Sequence, residues 1–213
     1  MIALRNTIIL TLFLVSPFHS EIYGESGIWR EILLENFELS NFNASHLRTK
    51  LEKGTKLPEI SLSNNFTAPI PGSKQALVLR IPKDANLPFS LYFPKPIEVN
   101  AFIKEISIPI YSSLSSGNLT LIIETQDAEV RQLNLTSLNY RGWKTITVSI
   151  SKNFDQNDRV FLQKSSIRIL GFFYLPYENN DPNQEVLIAI DDITAIVRDK
   201  YRPLRNKEIL LED

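Results

Sequence analysis

The stretch Lys144-Thr145-Ile146-Thr147-Val148-Ser149-Ile150 alternates without a slip. Successive side chains of a strand point to opposite faces, so Ile146, Val148 and Ile150 share an inner face while Thr145, Thr147 and Ser149 point outward. The same period of two recurs on both sides of it. Upstream, Leu77, Leu79 and Ile81 alternate with Ala76, Val78 and Arg80. Ile106, Ile108 and Ile110 alternate with Ser107 and Pro109, and Leu119, Leu121 and Ile123 alternate with Thr120 and Ile122. Leu133 and Leu135 follow, then Ile167, Ile169 and Phe173, then Val186, Ile188 and Ile190 running into Asp191-Asp192-Ile193. Turn-forming residues separate these runs: Ser115 to Asn118, Thr125 to Asp127, Asn139 to Gly142 and Asn179 to Asn183. About seven or eight short strands joined by turns, without a long amphipathic helix, predict an all-β fold: an antiparallel β-sandwich of the jelly-roll kind.

Prolines refine the prediction. Pro109 has no N–H for a ladder, so its strand is expected at an edge or at a bulge. Pro82, Pro88, Pro94 and Pro96 predict a crossing loop over residues 82–96. Residues 40–72 are less periodic, and Leu47 with Leu51 suggests a helical turn.

The chain has 213 residues, of which 43% are hydrophobic and 22% charged, with a net charge of −1. Those proportions suit a folded core of ordinary size and argue against a nucleic-acid partner held by bulk charge. The absence of cysteine excludes disulfides, thiolate metal sites and thiol catalysis. The two histidines, His19 and His46, leave little for imidazole chemistry.

Residues 1–20 read as a secretory signal peptide. Arg5 supplies the positive start, Ile8 to Val15 a short apolar run, and Ser16-Pro17 its break. Cleavage is expected between Ser20 and Gly24, and the exported chain has no second apolar segment long enough to span a membrane. The expected organisation is therefore residues 1–20 signal peptide, 21–198 sandwich and 199–213 charged tail, with a periplasmic destination. The tail is basic at Arg198, Lys200, Arg202, Arg205 and Lys207 and acidic at Glu208, Glu212 and Asp213. It reads as a solvated terminus, or as an arm that docks on a neighbouring subunit through Tyr201, Arg202, Leu204 and Arg205.

Signs of catalysis are absent from the pattern. No phosphate-binding loop, dinucleotide-binding glycine motif or nucleophile elbow occurs, and His46 lies in a polar segment. Asp191 and Asp192, adjacent on a strand, would point to opposite faces and form no paired-carboxyl site. They are read as turn-capping groups rather than as calcium ligands, so no cofactor and no metal are expected. The aromatics are the better candidates. Phe172 and Tyr174 would face away from Ile169 and Phe173, and Tyr140 and Trp143 flank Arg141-Gly142 at a turn. Exposed rings on a sandwich stack on sugars or anchor a protein interface. Tyr140, Arg141, Phe172 and Tyr174 are accordingly the predicted partner-binding residues of the sandwich.

The segment Leu138-Asn139-Tyr140-Arg141-Gly142-Trp143-Lys144, entering an alternating strand, resembles the turn-and-strand of the spirochaetal flagellar filament outer layer (sheath A) proteins. Ile103 to Ile108 and Asn118 to Leu121 are similar to the preceding strands of that family. Ile167 to Pro176 and Ile190-Asp191-Asp192-Ile193 are similar to its closing strands, and Leu34-Glu35-Asn36-Phe37-Glu38 to its opening one. The likeness spans about residues 28 to 198 and the signal segment, and fits a short paralogue. It implies a jelly roll related to carbohydrate-binding modules and a non-catalytic subunit coating the flagellin core of a periplasmic filament. The implied partners are flagellin and other sheath proteins, and the implied effect is on filament shape, stiffness and motility. The alternative from a different class is a periplasmic carbohydrate-binding module.

Overall fold

The computed structural model describes residues 29–49, 56–83, 87–156, 166–177 and 185–200. The expected signal peptide and the tail residues Tyr201, Arg202, Leu204 and Arg205 lie outside the described residues. Twelve strands follow in order: β1 (Arg30–Glu35), β2 (Leu47–Thr49), β3 (Glu59–Ser63), β4 (Ala76–Ile81), β5 (Phe89–Val99), β6 (Phe102–Ser113), β7 (Gly117–Glu124), β8 (Val130–Ser137), β9 (Arg141–Ser149), β10 (Ile167–Pro176), β11 (Val186–Ile190) and β12 (Ile193–Arg198). The expected helical turn at Leu47 is a short 3-10 turn at Ala44–His46 followed at once by β2.

The strands form two sheets, and every pairing is antiparallel. The five-stranded sheet has the order β2-β5-β10-β7-β8. In the seven-stranded sheet, β11 and β12 share one lane beside β6, with β9 on the other side of β6. β4 and then β3 flank β11, whereas β1 flanks β12. The fold is thus an antiparallel β-sandwich of the jelly-roll class. Its core is one continuous cluster including Leu77, Leu79, Ile106, Ile108, Ile110 and Ile188 of the larger sheet and Leu91, Leu119, Leu121, Ile123 and Ile169 of the smaller. β9 keeps the expected alternation, with Ile146 buried, Val148 partly buried and Thr145 and Thr147 exposed, and Ile150 just beyond it is buried.

Three departures from simple alternation shape the surface. Pro109 lies in a central strand, because β6 has β9 on one side and the β11–β12 lane on the other. The irregularity sits in the neighbour: Ile190 pairs Ile110 and Thr194 pairs Ser107, so Asp191, Asp192 and Ile193 face only Pro109 and Ile108. The proline lacks a donor there, and the break in the adjacent lane removes the need for one.

Residues 82–96 are not all loop, since β5 begins at Phe89 and buries Phe89, Leu91 and Phe93. Pro94 and Pro96 are accommodated inside it. Tyr92 pairs Gly171 and the next pair is Ile97 with Ile169, so the prolines occupy a bulge that requires no ladder donors.

The third departure reverses a predicted face. Ile169 pairs Ile123 and Gly171 pairs Ile122, which leaves Leu170 as an extra residue in β10. One extra residue flips every later side chain to the other face. Phe172 and Tyr174 therefore point into the core, at 1% and 0% exposure, and Phe173 points outward. Gly171 permits the bulge, because a Cβ on it would overlap the carbonyl oxygen of Leu91 in β5.

Candidate functional site

Two of the predicted partner-binding residues are structural. Phe172 packs edge-on against Phe93, with ring centroids 5.5 Å apart, and Tyr174 lies 5.2 Å from Phe89. Their rings complete the core rather than meet a partner. The other two stay near the surface. Arg141 is exposed at the start of β9. Tyr140 is half-buried, and its hydroxyl donates to the carbonyl of Ile110 at 3.1 Å. Burial pushes the Tyr140 phenol up to about 12. The Lys144 ammonium stands 5.6 Å from the centre of its ring.

Beside them, Trp143 joins a three-ring cluster on the outer face of the larger sheet. Tyr111 is its cross-strand partner, with centroids 5.7 Å apart, and Phe66 lies 5.8 Å from Trp143 and 4.6 Å from Tyr111. Mutual cover leaves all three only partly exposed. A second surface group lies where β1 begins. Trp29 is 42% exposed, and the Arg198 guanidinium stacks over Phe102 at 4.2 Å and over Trp29 at 5.4 Å.

Asp191 and Asp192 do not sit within a strand. They form the link between β11 and β12, at the point where β4 leaves the lane and β1 joins it. Asp191 is fully buried. Its Oδ2 accepts from the Ala68 N–H at 2.6 Å and the Ser73 hydroxyl at 2.7 Å, and its Oδ1 accepts from the Asp192 N–H at 2.8 Å. The Asp191 carboxylate thereby ties the segment before β4 to the sheet. The two carboxyls are not on opposite faces, as the strand reading required. Desolvation first, and then the charge and hydrogen bond of Asp191 and the charge of Glu38, raise Asp192 to about 6. Among the described residues no group of three or more acidic or histidine side chains is arranged to hold a metal ion.

The remaining surface is the outer face of the five-stranded sheet, which the predicted face of β10 had concealed. Phe173 on β10 and Tyr92 on β5 both lie on it, half-buried. The cross-strand row through Phe173 runs from Arg48 through Ser90 and Phe173 to Thr120 and Asn134. The row through Tyr92 runs through Gly171 and Ile122 to Gln132. At the β2 end an open cleft of about 530 Å³ is lined by Ser45, His46, Arg48, Tyr92 and Phe93. His46 Nδ1 lies 3.1 Å from the Asn43 N–H and 3.2 Å from the Asn43 carbonyl oxygen, which holds the ring at this end of the cleft. Farther along the face, Arg168 pairs with Glu124 at 2.9 Å.

No family model matches the chain. A flagellar filament outer layer-like protein of Brachyspira hyodysenteriae is 22% identical over 107 residues, covering 50% of this chain and 49% of that protein. The match thus spans about half the length of that relative. Among solved structures, the family 61 carbohydrate-binding module TmCBM61 in complex with β-1,4-galactotriose is 11% identical over 80% of this chain and 88% of its own, with a TM-score of 0.42. The family 11 carbohydrate-binding module of the cellulosomal cellulase Lic26A-Cel5E of Clostridium thermocellum is 16% identical over 83% and 99%, also with a TM-score of 0.42.

Proposed function

We propose that the chain is a non-catalytic subunit of the outer layer of a periplasmic flagellar filament, bound laterally to flagellin and to other sheath proteins. The observation that carries this reading is the likeness to the flagellar filament outer layer-like protein. The interior supports it, since the sandwich is filled by apolar side chains and the aromatics expected outside at β10 are spent on packing. Side chains left for contacts lie on the outside, among them Trp29, Leu33, Leu175 and Tyr177. Export by the segment 1–20 and a place in the periplasm belong to the same proposal. The test is co-sedimentation: the protein should pellet with purified flagellar filaments from cell fractions, and its complete recovery in the soluble fraction would reject the role.

A second reading, a carbohydrate-binding module, is favoured by a specific observation. Tyr92 and Phe173 lie together on the outer face of the five-stranded sheet, beside a cleft to which Ser45, His46 and Arg48 bring polar groups.

A further inference from the structure

We propose that the outer face of the five-stranded sheet binds an acidic oligosaccharide, with Arg48 taking the carboxylate and Tyr92 and Phe173 taking the sugar rings. The inference rests on the carbohydrate-binding reading and gives it a site and a ligand charge. Tyr92 pairs Gly171 while Phe173 pairs Ser90, so the two residues are diagonal neighbours on adjacent strands, with backbones ~7–8 Å apart by sheet geometry. Gly171 has no side chain to cover Tyr92 from the β10 side. Polar groups flank the rings: Ser45, His46 and Arg48 at one end of the face, Asn134 and Gln132 at the other. The strand order places Arg48 and Asn134 four spacings apart, or ~19 Å, which suits a chain of several sugar units.

The charge follows from comparing the two arginines of this face. Arg168 is neutralised by Glu124 at 2.9 Å. Arg48 is exposed, and among the described residues its guanidinium has no ion pair or hydrogen bond. An unpaired guanidinium at the mouth of a cleft has five donors suited to a planar carboxylate. A peptide is a poorer fit. Strand addition uses a free sheet edge, which in this sheet belongs to β2 and β8, whereas the two rings stand on the inner strands β5 and β10, each flanked on both sides.

The experiment is calorimetric titration of the full chain with hexagalacturonic acid and with cellohexaose as the neutral probe. The acidic hexamer should bind about tenfold more tightly at low ionic strength, and the preference should shrink in 0.5 M salt, a probe condition chosen because the Debye length there falls to roughly 4 Å. Arg48→Gln should abolish the preference, and Phe173→Ala and Tyr92→Ala should weaken both sugars. Leu39→Ser, exposed and outside both sheets, should change neither. Arg48 is solvent-exposed, so its variant tests the charge even if an aromatic variant melts early. Equal affinity for the two hexamers would overturn the acidic ligand while leaving the carbohydrate reading standing. Binding of neither would overturn both, and binding that survives Arg48→Gln and Tyr92→Ala together would overturn this site.

Discussion

A methyl group at Gly171 would meet the Leu91 carbonyl oxygen and the Cα of Tyr92. Gly171→Ala should therefore cost about 2–3 kcal/mol, the upper range for overpacking, read as a lower urea midpoint with an unchanged slope. The same residue explains the misread aromatics. Ile167 and Ile169 are legible as an inner pair, but parity carries forward only while the register holds. The extra Leu170 is fixed by contact with β5 and β7, which no local pattern reveals. Asp192 gives a second test at this scale. Its carboxyl titrates near 6 in the folded chain against an ordinary value of 3.8. The folded state thus holds the extra proton between these values, and stability falls as pH rises from about 4 to 6. The group is only partly buried, so screening makes the effect smaller than the shift alone implies. Asp192→Asn should melt higher than the parent at pH 7.5, and the two melting curves should converge below pH 4.

At the scale of elements, the joint between β11 and β12 depends on one carboxylate. Asp191→Ala would strip the buried Ala68 N–H and the Ser73 hydroxyl of their acceptor. A loss of about 3 kcal/mol is expected, by thermal or urea unfolding, with faster hydrogen exchange at Ala68 as the local signature. The aspartate pair stands out in the sequence, but its role does not. Strand parity separates neighbouring side chains only inside a strand, and Pro109 opposite has interrupted the strand. A comparable device at β6 leaves no sequence signal. The Gln156 side-chain amide accepts from the Ile103 N–H and donates to the Ile103 carbonyl, each at 2.8 Å. A glutamine in a polar stretch carries no mark of such burial, whereas alternating strands such as β6 and β9 can be read directly because burial on one face imposes a period of two.

For the whole molecule, the question is how a near-neutral sandwich would join a filament. A net charge of −1 gives no long-range attraction, so short-range surfaces must carry the contacts. Repetition along a filament makes weak contacts sufficient, because each bound neighbour raises the effective concentration of the next. Of the predicted partner-binding residues, two groups remain once Phe172 and Tyr174 are assigned to the core. One is the tail, where Tyr201, Leu204, Ile209 and Leu210 offer apolar area between basic and acidic groups. The other is the face around Tyr140, Arg141 and Trp143. The last described strand ends at Arg198, and Asp199 contributes an exposed pair with Arg30 and a carbonyl that accepts from the Arg198 guanidinium at 3.3 Å. Such a pair is worth roughly 0–1 kcal/mol. Removing residues 199–213 should therefore leave the circular dichroism spectrum of the sandwich unchanged and its melting temperature nearly so. It should also reduce the amount of protein recovered with purified filaments and alter cell motility. If the truncated chain is incorporated as well as the full one, the tail is not the arm. Arg141→Glu, an exposed change on the other surface, should then be the variant that lowers recovery, measured in the same filament preparation.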